Sequence, residues 1–366
     1  MQVNGKDYHT IWVKETDTET IQIIDQRFLP FEFKIVDLKT PENIYTAIKE
    51  MWLRGAPLIG VAAAYGMYLG LLQIRSENEF ENKIENLAAY LKSSRPTAVN
   101  LRFAIDLILQ QIKNERSIDK KIKIAFDTAN QLKEKEIENC RKIGEFGLPL
   151  IEEISKTKKG DVVNILTHCN AGWLACVDYG TATAPIYLAH QKGIKIHVWV
   201  DETRPRNQGA RLTAFELEQE GILHTVIADN TGGLLMQKGL VDMVIVGSDR
   251  TSANGDVANK IGTYLKALAA YDNKIPFYVA LPLSTIDWDI NDGVKEIPIE
   301  QRDEDEVKYV EGWDGSKITK VRIMPENSPV ANYGFDITPA KYVTALITEK
   351  GICRANKEDL GKLRSI

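Results

Sequence analysis

The spacing of apolar residues changes along the chain and separates three kinds of segment. In the first forty residues apolar and polar positions alternate, as in residues 20–24 and 31–36, which is the period of half-buried strands. We therefore predict a short sheet at the N-terminus.

From residue 41 to about residue 154 the apolar spacing becomes that of helices. The predicted helices cover residues 42–52, 59–74, 98–112 and 120–140, and a turn is expected at residues 156–160. This part of the chain is therefore predicted to be a mainly helical domain.

Beyond that turn, short apolar runs of strand length alternate with helical segments. The predicted strands are residues 162–166, 195–200, 224–228, 243–246 and 277–280, and the predicted helices are residues 180–191, 210–220, 232–238 and 259–271. This alternation indicates an α/β fold with a doubly wound parallel sheet. We expect two domains, residues 1–145 and 146–366, and an exposed acidic loop at residues 301–307.

Composition narrows the classes of partner. The formal net charge is -5 with 27% charged residues and no basic stripe, so we expect no nucleic-acid partner. We predict neither a signal sequence nor a membrane-spanning run, hence a cytoplasmic protein without a membrane partner. Cys140, Cys169, Cys176 and Cys353 lack the paired spacing of a zinc site and are expected to be free thiols, so no metal is predicted.

Two reactive side chains follow predicted strands, at the sheet edge where doubly wound folds bind ligands. Cys169 follows strand 162–166, and it would act as a base or nucleophile only if a neighbouring cation or helix N-terminus lowered its pKa. Asp249 follows strand 243–246, where desolvation would raise its pKa and keep it protonated as a general acid. The alternatives are a buried structural cysteine and an aspartate that caps a helix or pairs with Arg250.

Three segments combine small residues with a helix start, the arrangement that binds phosphate: residues 54–57, 95–97 and 230–233. Each segment alone is weak evidence for a phosphate site, but the three together favour an anionic ligand. Gln208, between a strand and a helix, is a candidate for binding sugar hydroxyls. His168 precedes Cys169, but adjacent residues of an extended chain point to opposite faces, so we favour a structural histidine over a Cys/His hydrolase.

Taken in order, seven motifs carry a family resemblance. They are Arg-Gly-Ala-Pro at 54–57, Arg-Pro-Thr-Ala-Val-Asn-Leu at 95–101, Leu-Thr-His-Cys-Asn at 166–170, Asp-Glu-Thr-Arg-Pro at 201–205, Gln-Gly-Ala-Arg-Leu-Thr-Ala at 208–214, Gly-Ser-Asp-Arg at 247–250 and Asn-Gly-Asp-Val-Ala-Asn-Lys-Ile-Gly-Thr-Tyr at 254–264. The set resembles methylthioribose-1-phosphate isomerases, which share a fold with ribose-1,5-bisphosphate isomerases and with regulatory subunits of a eukaryotic translation-initiation exchange factor.

The resemblance implies a site as well as a fold. The fold would be a Rossmann-like domain preceded by a smaller helical domain, in a homodimer that needs neither a metal nor an organic cofactor. Asp249 would donate a proton and Cys169 would assist the transition state. The residues implied to contact the substrate, a small sugar 1-phosphate, are Arg54, Gly55, Ala56, Arg95, Gln208, Asn259 and Lys260.

The implied reaction converts 5-(methylthio)ribose 1-phosphate, an aldose, into the corresponding ribulose 1-phosphate in methionine salvage. Hydrogen would move from C2 to C1 either by proton abstraction, with the Cys169 thiolate as a candidate base, or by a hydride shift. The alternatives are an isomerase of 5-deoxyribose 1-phosphate or ribose 1,5-bisphosphate, and a non-catalytic regulatory subunit. The regulatory subunits generally lack the Cys and Asp pair, which this sequence has at Cys169 and Asp249.

Overall fold

The structure, a computed structural model, describes residues 1–73, 80–95 and 98–364. The strands are β1 Gln2–Val3, β2 Lys6–Asp7, β3 Ile11–Lys14, β4 Asp17–Ile24, β5 Ile35–Leu38, β6 Val163–Thr167, β7 Ile196–Asp201, β8 His224–Ile227, β9 Met243–Val246, β10 Arg250–Ser252, β11 Val257–Lys260, β12 Phe277–Ala280, β13 Ile286–Asp287, β14 Tyr309–Trp313, β15 Ile318–Arg322, β16 Phe335–Thr338, β17 Ala345–Thr348 and β18 Gly351–Cys353. The α-helices are α1 Pro41–Lys49, α2 Ala56–Gln73, α3 Phe80–Ser93, α4 Val99–Ile112, α5 Ile118–Thr157, α6 Ala184–Gln191, α7 Ala214–Gln219, α8 Thr231–Gln237, α9 Thr263–Asp272, α10 Gly293–Glu296, α11 Asp305–Lys308 and α12 Lys357–Arg364.

The N-terminal sheet is present, with β4 between β3 and β5 and both pairings antiparallel. The predicted strand at 20–24 lies within β4, whereas the prediction for 31–36 is wrong over residues 31–34. Residue 31 ends a turn, in which the carbonyl of Phe28 accepts the N–H groups of Phe31 and Glu32, and residues 32–34 form an irregular segment that leads into β5.

The four predicted N-terminal helices correspond to α1, α2, α4 and α5, with residue 74 of the second lying outside the described residues. The prediction ended the last helix at residue 140, but α5 runs for 40 residues to Thr157. Its buried stripe continues through Ile143 and Ile151, and Pro149 removes one backbone donor without ending the helix.

Helix α2 corrects the prediction that no run could span a membrane. Its 18 residues carry no charged side chain and are long and apolar enough to cross one by length and composition alone. In the structure 83% of this helix is buried, and it packs against α1, α4 and α5. A helix that is apolar on all sides fits the centre of a helical domain, because protein surrounds it there.

The larger sheet has seven strands in the order β18-β17-β12-β9-β6-β7-β8, all parallel except the pairing of β18 with β17. All five strands predicted beyond residue 160 belong to it. Chain order runs outward in one direction from β6 to β8 and in the other from β9 to β17, the Rossmann-like arrangement. Its switch point lies between β6 and β9, where ligand sites of such sheets form.

One predicted helix begins later than expected, which changes the setting of two candidate site residues. Residues 259–271 were predicted helical, but Asn259 and Lys260 lie on β11 and pair with Asp336 and Phe335 of β16. The helix α9 starts only after Gly262, whose φ of 103° lies in the left-handed region. Strand β11 belongs to a second sheet, in the order β13-β10-β11-β16.

The acidic segment 301–307 is exposed at residues 301 and 303–305, as predicted, but it is not an exposed loop throughout. It includes the start of α11, and the side chain of Glu306 is only 10% exposed because it pairs with Arg302 and Arg206. Arg302 belongs to the segment itself, whereas Arg206 follows β7 and lies 100 residues before Glu306 in the chain.

Candidate active site

A cavity of about 670 Å³ opens at the carboxyl ends of β6 and β9. It is lined by all nine residues singled out from the sequence, which are Arg54, Gly55, Ala56, Arg95, Cys169, Gln208, Asp249, Asn259 and Lys260. The cavity therefore lies at the switch point of the sheet, where the strand order predicts a ligand site.

The backbone holds Cys169 in an uncommon conformation, with φ of 66°. Its N–H donates to Oγ1 of Thr203 at 2.8 Å, and its carbonyl accepts from Oγ1 of Thr213 at 2.7 Å. Burial raises the pKa of the Cys169 thiol, although Arg54 and Lys260 act in the opposite direction. The cations that a thiolate requires are therefore present. However, burial has the larger effect on the pKa and favours the neutral thiol.

Asp249 has the environment of a proton donor. Burial raises the pKa of its carboxyl despite Lys260, Arg95 and Arg54, which lower it. The structure supports neither alternative for this residue: the strand β10 follows it, and Arg250 pairs with Asp287. A protonated carboxyl next to three cations can donate to a substrate oxygen and then remain as a stabilised carboxylate.

The segment before α2 brings a guanidinium and a helix N-terminus to the cavity. Arg54 is 7% exposed, its Nη2 donates to Oδ1 of Asn170 at 2.6 Å, and its buried Nε has no partner in the described part of the chain. Gly55 has φ of 100°, and a Cβ there would lie 2.0 Å from the carbonyl oxygen of Ala175. Ala56 begins α2, so the positive end of that helix faces the same space.

Two more cations approach from other directions. Arg95 follows α3 and Lys260 ends β11, and burial lowers the pKa of both side chains. The Nζ of Lys260 lies 5.0 Å from the centre of the Phe335 ring. Pro96 and Thr97 of the second predicted phosphate segment lie outside the described residues. The third segment, 230–233, does not line the cavity, because Gly232 packs against Leu166.

The remaining two candidates are amides. Gln208 is 5% exposed, and its buried Oε1 has no partner among the described residues. The Nδ2 of Asn259 donates to Oγ1 of Thr263 at 3.1 Å. A buried acceptor without a donor is costly in the empty protein, so a hydroxyl of a ligand would satisfy Gln208.

Both ring nitrogens of His168 have partners within the protein, as expected of a structural histidine, although His168 also lines the cavity. Its Nδ1 lies 2.8 Å from Asp201 Oδ2, and its Nε2 lies 2.9 Å from the carbonyl oxygen of Ile261. His168, Asp201 and Asp229 could together hold a metal ion by their spacing. However, Nζ of Lys266 lies 3.1 Å from Asp201 and bonds to the carbonyl of Asp229, so this cluster already contains a cation.

Sequence reasoning missed a chain of buried polar groups behind Arg54. Asn170 bonds to Arg54 and also to Glu216, a 0% exposed carboxyl on α7. The only signal in the sequence is an acid among apolar residues, between Phe215 and Leu217. That pattern is weak, since exposed acids are common on helices.

Comparisons with known proteins agree on one family. A family model described as the Initiation factor 2 subunit family matches residues 53–355. The chain is 56% identical to the methylthioribose-1-phosphate isomerase of Desulfatibacillum aliphaticivorans, over 99% of this chain and 98% of that protein. It is 54% identical to the protein of the same name from Sulfurimonas denitrificans, over 97% of this chain and 98% of that one.

Two solved structures share the fold at a similar level of sequence identity. The 5-methylthioribose 1-phosphate isomerase from Pyrococcus horikoshii OT3 superposes with a TM-score of 0.86 and 38% identity, covering 98% of this chain and 96% of that one. The translation initiation factor eIF-2B, subunit delta, from A. fulgidus gives a TM-score of 0.81 and 37% identity, covering 98% of this chain and all of that one. Because the family model spans most of the chain and the relatives match nearly all of it, the chain belongs to the methylthioribose-1-phosphate isomerases, within the initiation factor 2 subunit family.

Proposed function

We propose that this protein isomerises 5-(methylthio)ribose 1-phosphate to 5-(methylthio)ribulose 1-phosphate, an aldose-to-ketose step of methionine salvage. One observation supports the proposal most directly: Asp249 lines the same cavity as three cationic side chains, and burial raises the pKa of its carboxyl. A proton donor and an anion-binding group are the two features that an isomerase of a sugar 1-phosphate needs. The named relatives supply the identity of the sugar.

The phosphate on the anomeric oxygen prevents spontaneous ring opening, so the enzyme must open the ring itself. In the proposed mechanism Arg54, Arg95 and the N-terminus of α2 hold the phosphate. Asp249 protonates the ring oxygen as its bond to C1 breaks. The carboxylate that remains is stabilised by Lys260 and the arginines, which limits the cost of charge separation in a buried site.

The hydrogen then moves from C2 to C1. The raised pKa of Cys169 favours a neutral thiol, which does not abstract a proton from carbon, so we favour a hydride shift. In that route C2 gives its hydrogen with both bonding electrons to the electron-poor C1. The C2 hydroxyl loses its proton and becomes the ketone, so the net change transfers one hydride and returns one proton to the site.

The substituent at C5 has a place beside the cavity. A second cavity of about 540 Å³ shares Ala56, Arg95, Asp249 and Phe335 with the first. Its other lining residues are Ile59, Ala98, Arg250, Ala258, Ile297 and Pro298. These are mainly apolar, and the charge of Arg250 is balanced by Asp287. A methylthio group suits this lining better than a second phosphate does.

The proposal is tested by incubating the protein with methylthioribose 1-phosphate, 5-deoxyribose 1-phosphate and ribose 1,5-bisphosphate in parallel. We expect the highest kcat/KM with the first, and a loss of about 10³-fold in kcat for Asp249→Asn. Asp178→Asn is the matched control, because that buried aspartate pairs with the N-terminal amine away from the cavity. Turnover of none of the three sugars would shift the assignment to a non-catalytic relative, such as the eIF-2B subunit that shares the fold.

The same reaction run in deuterated water distinguishes the two routes for hydrogen. The hydride route keeps the substrate hydrogen, so C1 of the product should carry no solvent deuterium. Deuterium at C1 would instead assign a base, with Cys169 as the first candidate.

We further propose a cytoplasmic homodimer of two-domain chains that works without a metal or an organic cofactor. The domains are residues 1–145 and 146–366, and α5 crosses the boundary between them. Three separate apolar cores support this division, one built mainly from α1 to α5 and two around the seven-stranded sheet.

A further inference from the structure

A buried chain of hydrogen bonds runs from α7 to the cavity. Oε1 of Glu216 accepts from Nδ2 of Asn170 at 2.9 Å and from the backbone N–H of Leu174 at 2.9 Å. Oε2 accepts from the hydroxyl of Tyr187 at 2.8 Å. On the other side, Oδ1 of Asn170 accepts from Nη2 of Arg54 at 2.6 Å.

The order of donors and acceptors in this series of hydrogen bonds determines the orientation of the Asn170 amide. Asn170 must present its oxygen to the guanidinium of Arg54, which can only donate. Rotating the amide by half a turn would place its NH₂ against that guanidinium and its oxygen against the carboxylate of Glu216. Both contacts would be repulsive, so Glu216 favours the orientation in which Asn170 holds Arg54, and Thr213 assists because its Oγ1 accepts from the same Nδ2 at 3.1 Å.

We propose that Glu216 is a positioning residue for phosphate binding: by orienting Asn170, it holds the Arg54 guanidinium in the cavity. This inference rests on the proposed function only in assigning the phosphate to Arg54. The buried Nε of Arg54, for which the residues that the structure describes offer no acceptor, supports that assignment, since a fixed guanidinium with an unused donor is ready for an anion.

The surroundings of Glu216 leave it little freedom. Tyr187 is 1% exposed, and a Cβ at Gly172 would lie 1.6 Å from Oε2 of Glu216. Burial raises the pKa of Glu216 to about 7, and its bonds to Asn170, Leu174 and Tyr187 act against that rise. A carboxyl kept at such a cost, without access to the cavity, has a role in holding its neighbours.

The test measures binding of inorganic phosphate to the full chain by calorimetry, together with kcat and KM. Glu216→Ala removes the acceptor that faces Asn170, and Glu216→Asp keeps the charge but withdraws the carboxylate from the amide. We expect both to raise the Kd for phosphate and the KM about tenfold, with kcat changed less than threefold. Glu216→Gln restores an acceptor of the same length and should recover phosphate binding to within threefold of wild type.

Two controls separate positioning from loss of stability. Tyr187→Phe removes a hydrogen bond of the same carboxyl on the side away from Asn170, so it should lower the melting temperature without changing phosphate binding. Glu136→Gln alters a buried carboxyl that does not line the cavity and should leave phosphate binding unchanged. Should Glu216→Ala not fold, Glu216→Asp decides the question.

Wild-type phosphate affinity in folded Glu216→Asp, or an equal loss in Tyr187→Phe, would overturn the inference. Because phosphate binding is measured without turnover, the outcome stands apart from the proposed function. Failure of the wild type to isomerise any sugar tests the function and leaves the phosphate titration interpretable.

Discussion

At the scale of single residues, burial controls protonation. Burial raises the pKa of Glu136 on α5 to about 7, above its ordinary value of 4.5, and Oε2 of this carboxyl has no partner within residues 1–73, 80–95 and 98–364. The fold therefore favours the protonated form. The stability that this form contributes is complete below pH 4.5, declines as the pH rises towards 7, and is lost above it.

A neutral side chain at position 136 should remove that loss. The distance from 4.5 to about 7 corresponds to roughly 3 kcal/mol if it is fully expressed. We expect Glu136→Gln to raise the free energy of unfolding by about 2 kcal/mol at pH 8.5 and to leave it nearly unchanged at pH 5, as measured by urea unfolding. Glu134→Gln, an exposed site on the same helix, should have no effect at either pH. An equal gain at both pH values would contradict the titration of Glu136.

The same balance explains what the sequence could establish about Cys169 and Asp249. Their placement at the ends of β6 and β9 followed from the strand pattern, and the raised pKa of Asp249 followed from desolvation. For Cys169 the sequence predicted that a neighbouring cation or a helix N-terminus would be needed to lower the pKa of the thiol. It could not show that burial, which raises this pKa, has a larger effect than either Arg54 or Lys260. The balance between burial and neighbouring charges depends on how the folded chain packs around the thiol, and the spacing of motifs in the sequence does not describe that packing.

At the scale of elements, the local pattern of apolar residues was sufficient to predict a helix or strand where that element packs against its neighbours in sequence. Five of the seven strands of the large sheet, β6 to β9 and β12, were predicted from apolar runs alone, whereas β17 and β18 were not predicted. The last two residues of β11, Asn259 and Lys260, were mistaken for helix because their partners on β16 lie more than seventy residues further along the chain. The neighbouring strand β10 pairs with residues 257–258, so the pairing that extends β11 to residues 259–260 comes from that distant segment.

Asp256 anchors β11 to the rest of the protein. It is 5% exposed, with Oδ1 accepting from the N–H of Ala340 at 2.8 Å and Oδ2 accepting from the N–H of Gly293 at 3.0 Å. An asparagine offers one oxygen, so one of these N–H groups would face a donor. We expect Asp256→Asn to lower the free energy of unfolding by about 2 kcal/mol.

Loss of this anchor should also shift β11 at the cavity, because the strand ends in Asn259 and Lys260. We therefore expect KM to rise severalfold in Asp256→Asn, measured alongside urea unfolding. Asp289→Asn, at an exposed position nearby in the chain, is the control for both readings. A stable variant with unchanged KM would show that the anchor is dispensable.

At the scale of the whole molecule, the cavity joins parts that the sequence separates. Arg54 and Arg95 come from the helical region, Cys169 and Asp249 from strand ends, and Lys260 from the second sheet. The motifs identified these residues as a set by resemblance to a family. Glu216 was not found, because its role depends on contacts with Asn170 and Tyr187 that only the folded chain creates.

The proposed dimer has a candidate surface at one edge of the large sheet. Strand β8 is the last strand of the sheet, and four apolar side chains on or beside β8 and α8 are exposed. They are Leu223 at 70%, Leu234 at 50%, Val226 at 42% and Leu240 at 41%. An open strand edge beside apolar side chains is a surface that a second copy of the chain can cover.

Two charges on this surface should separate the subunits without disabling the site. We expect wild type to be a dimer by light scattering and the Leu223→Glu/Leu234→Glu variant to be a folded monomer, because burying two carboxylates without partners is costly. All nine candidate residues line one cavity within a single chain, so turnover per chain should stay within about threefold of wild type. Val321→Glu, at a 55% exposed position on the β14–β15 hairpin, should remain dimeric. A double variant that stays dimeric would place the interface elsewhere, while a monomer without activity would mean that the partner supports the cavity.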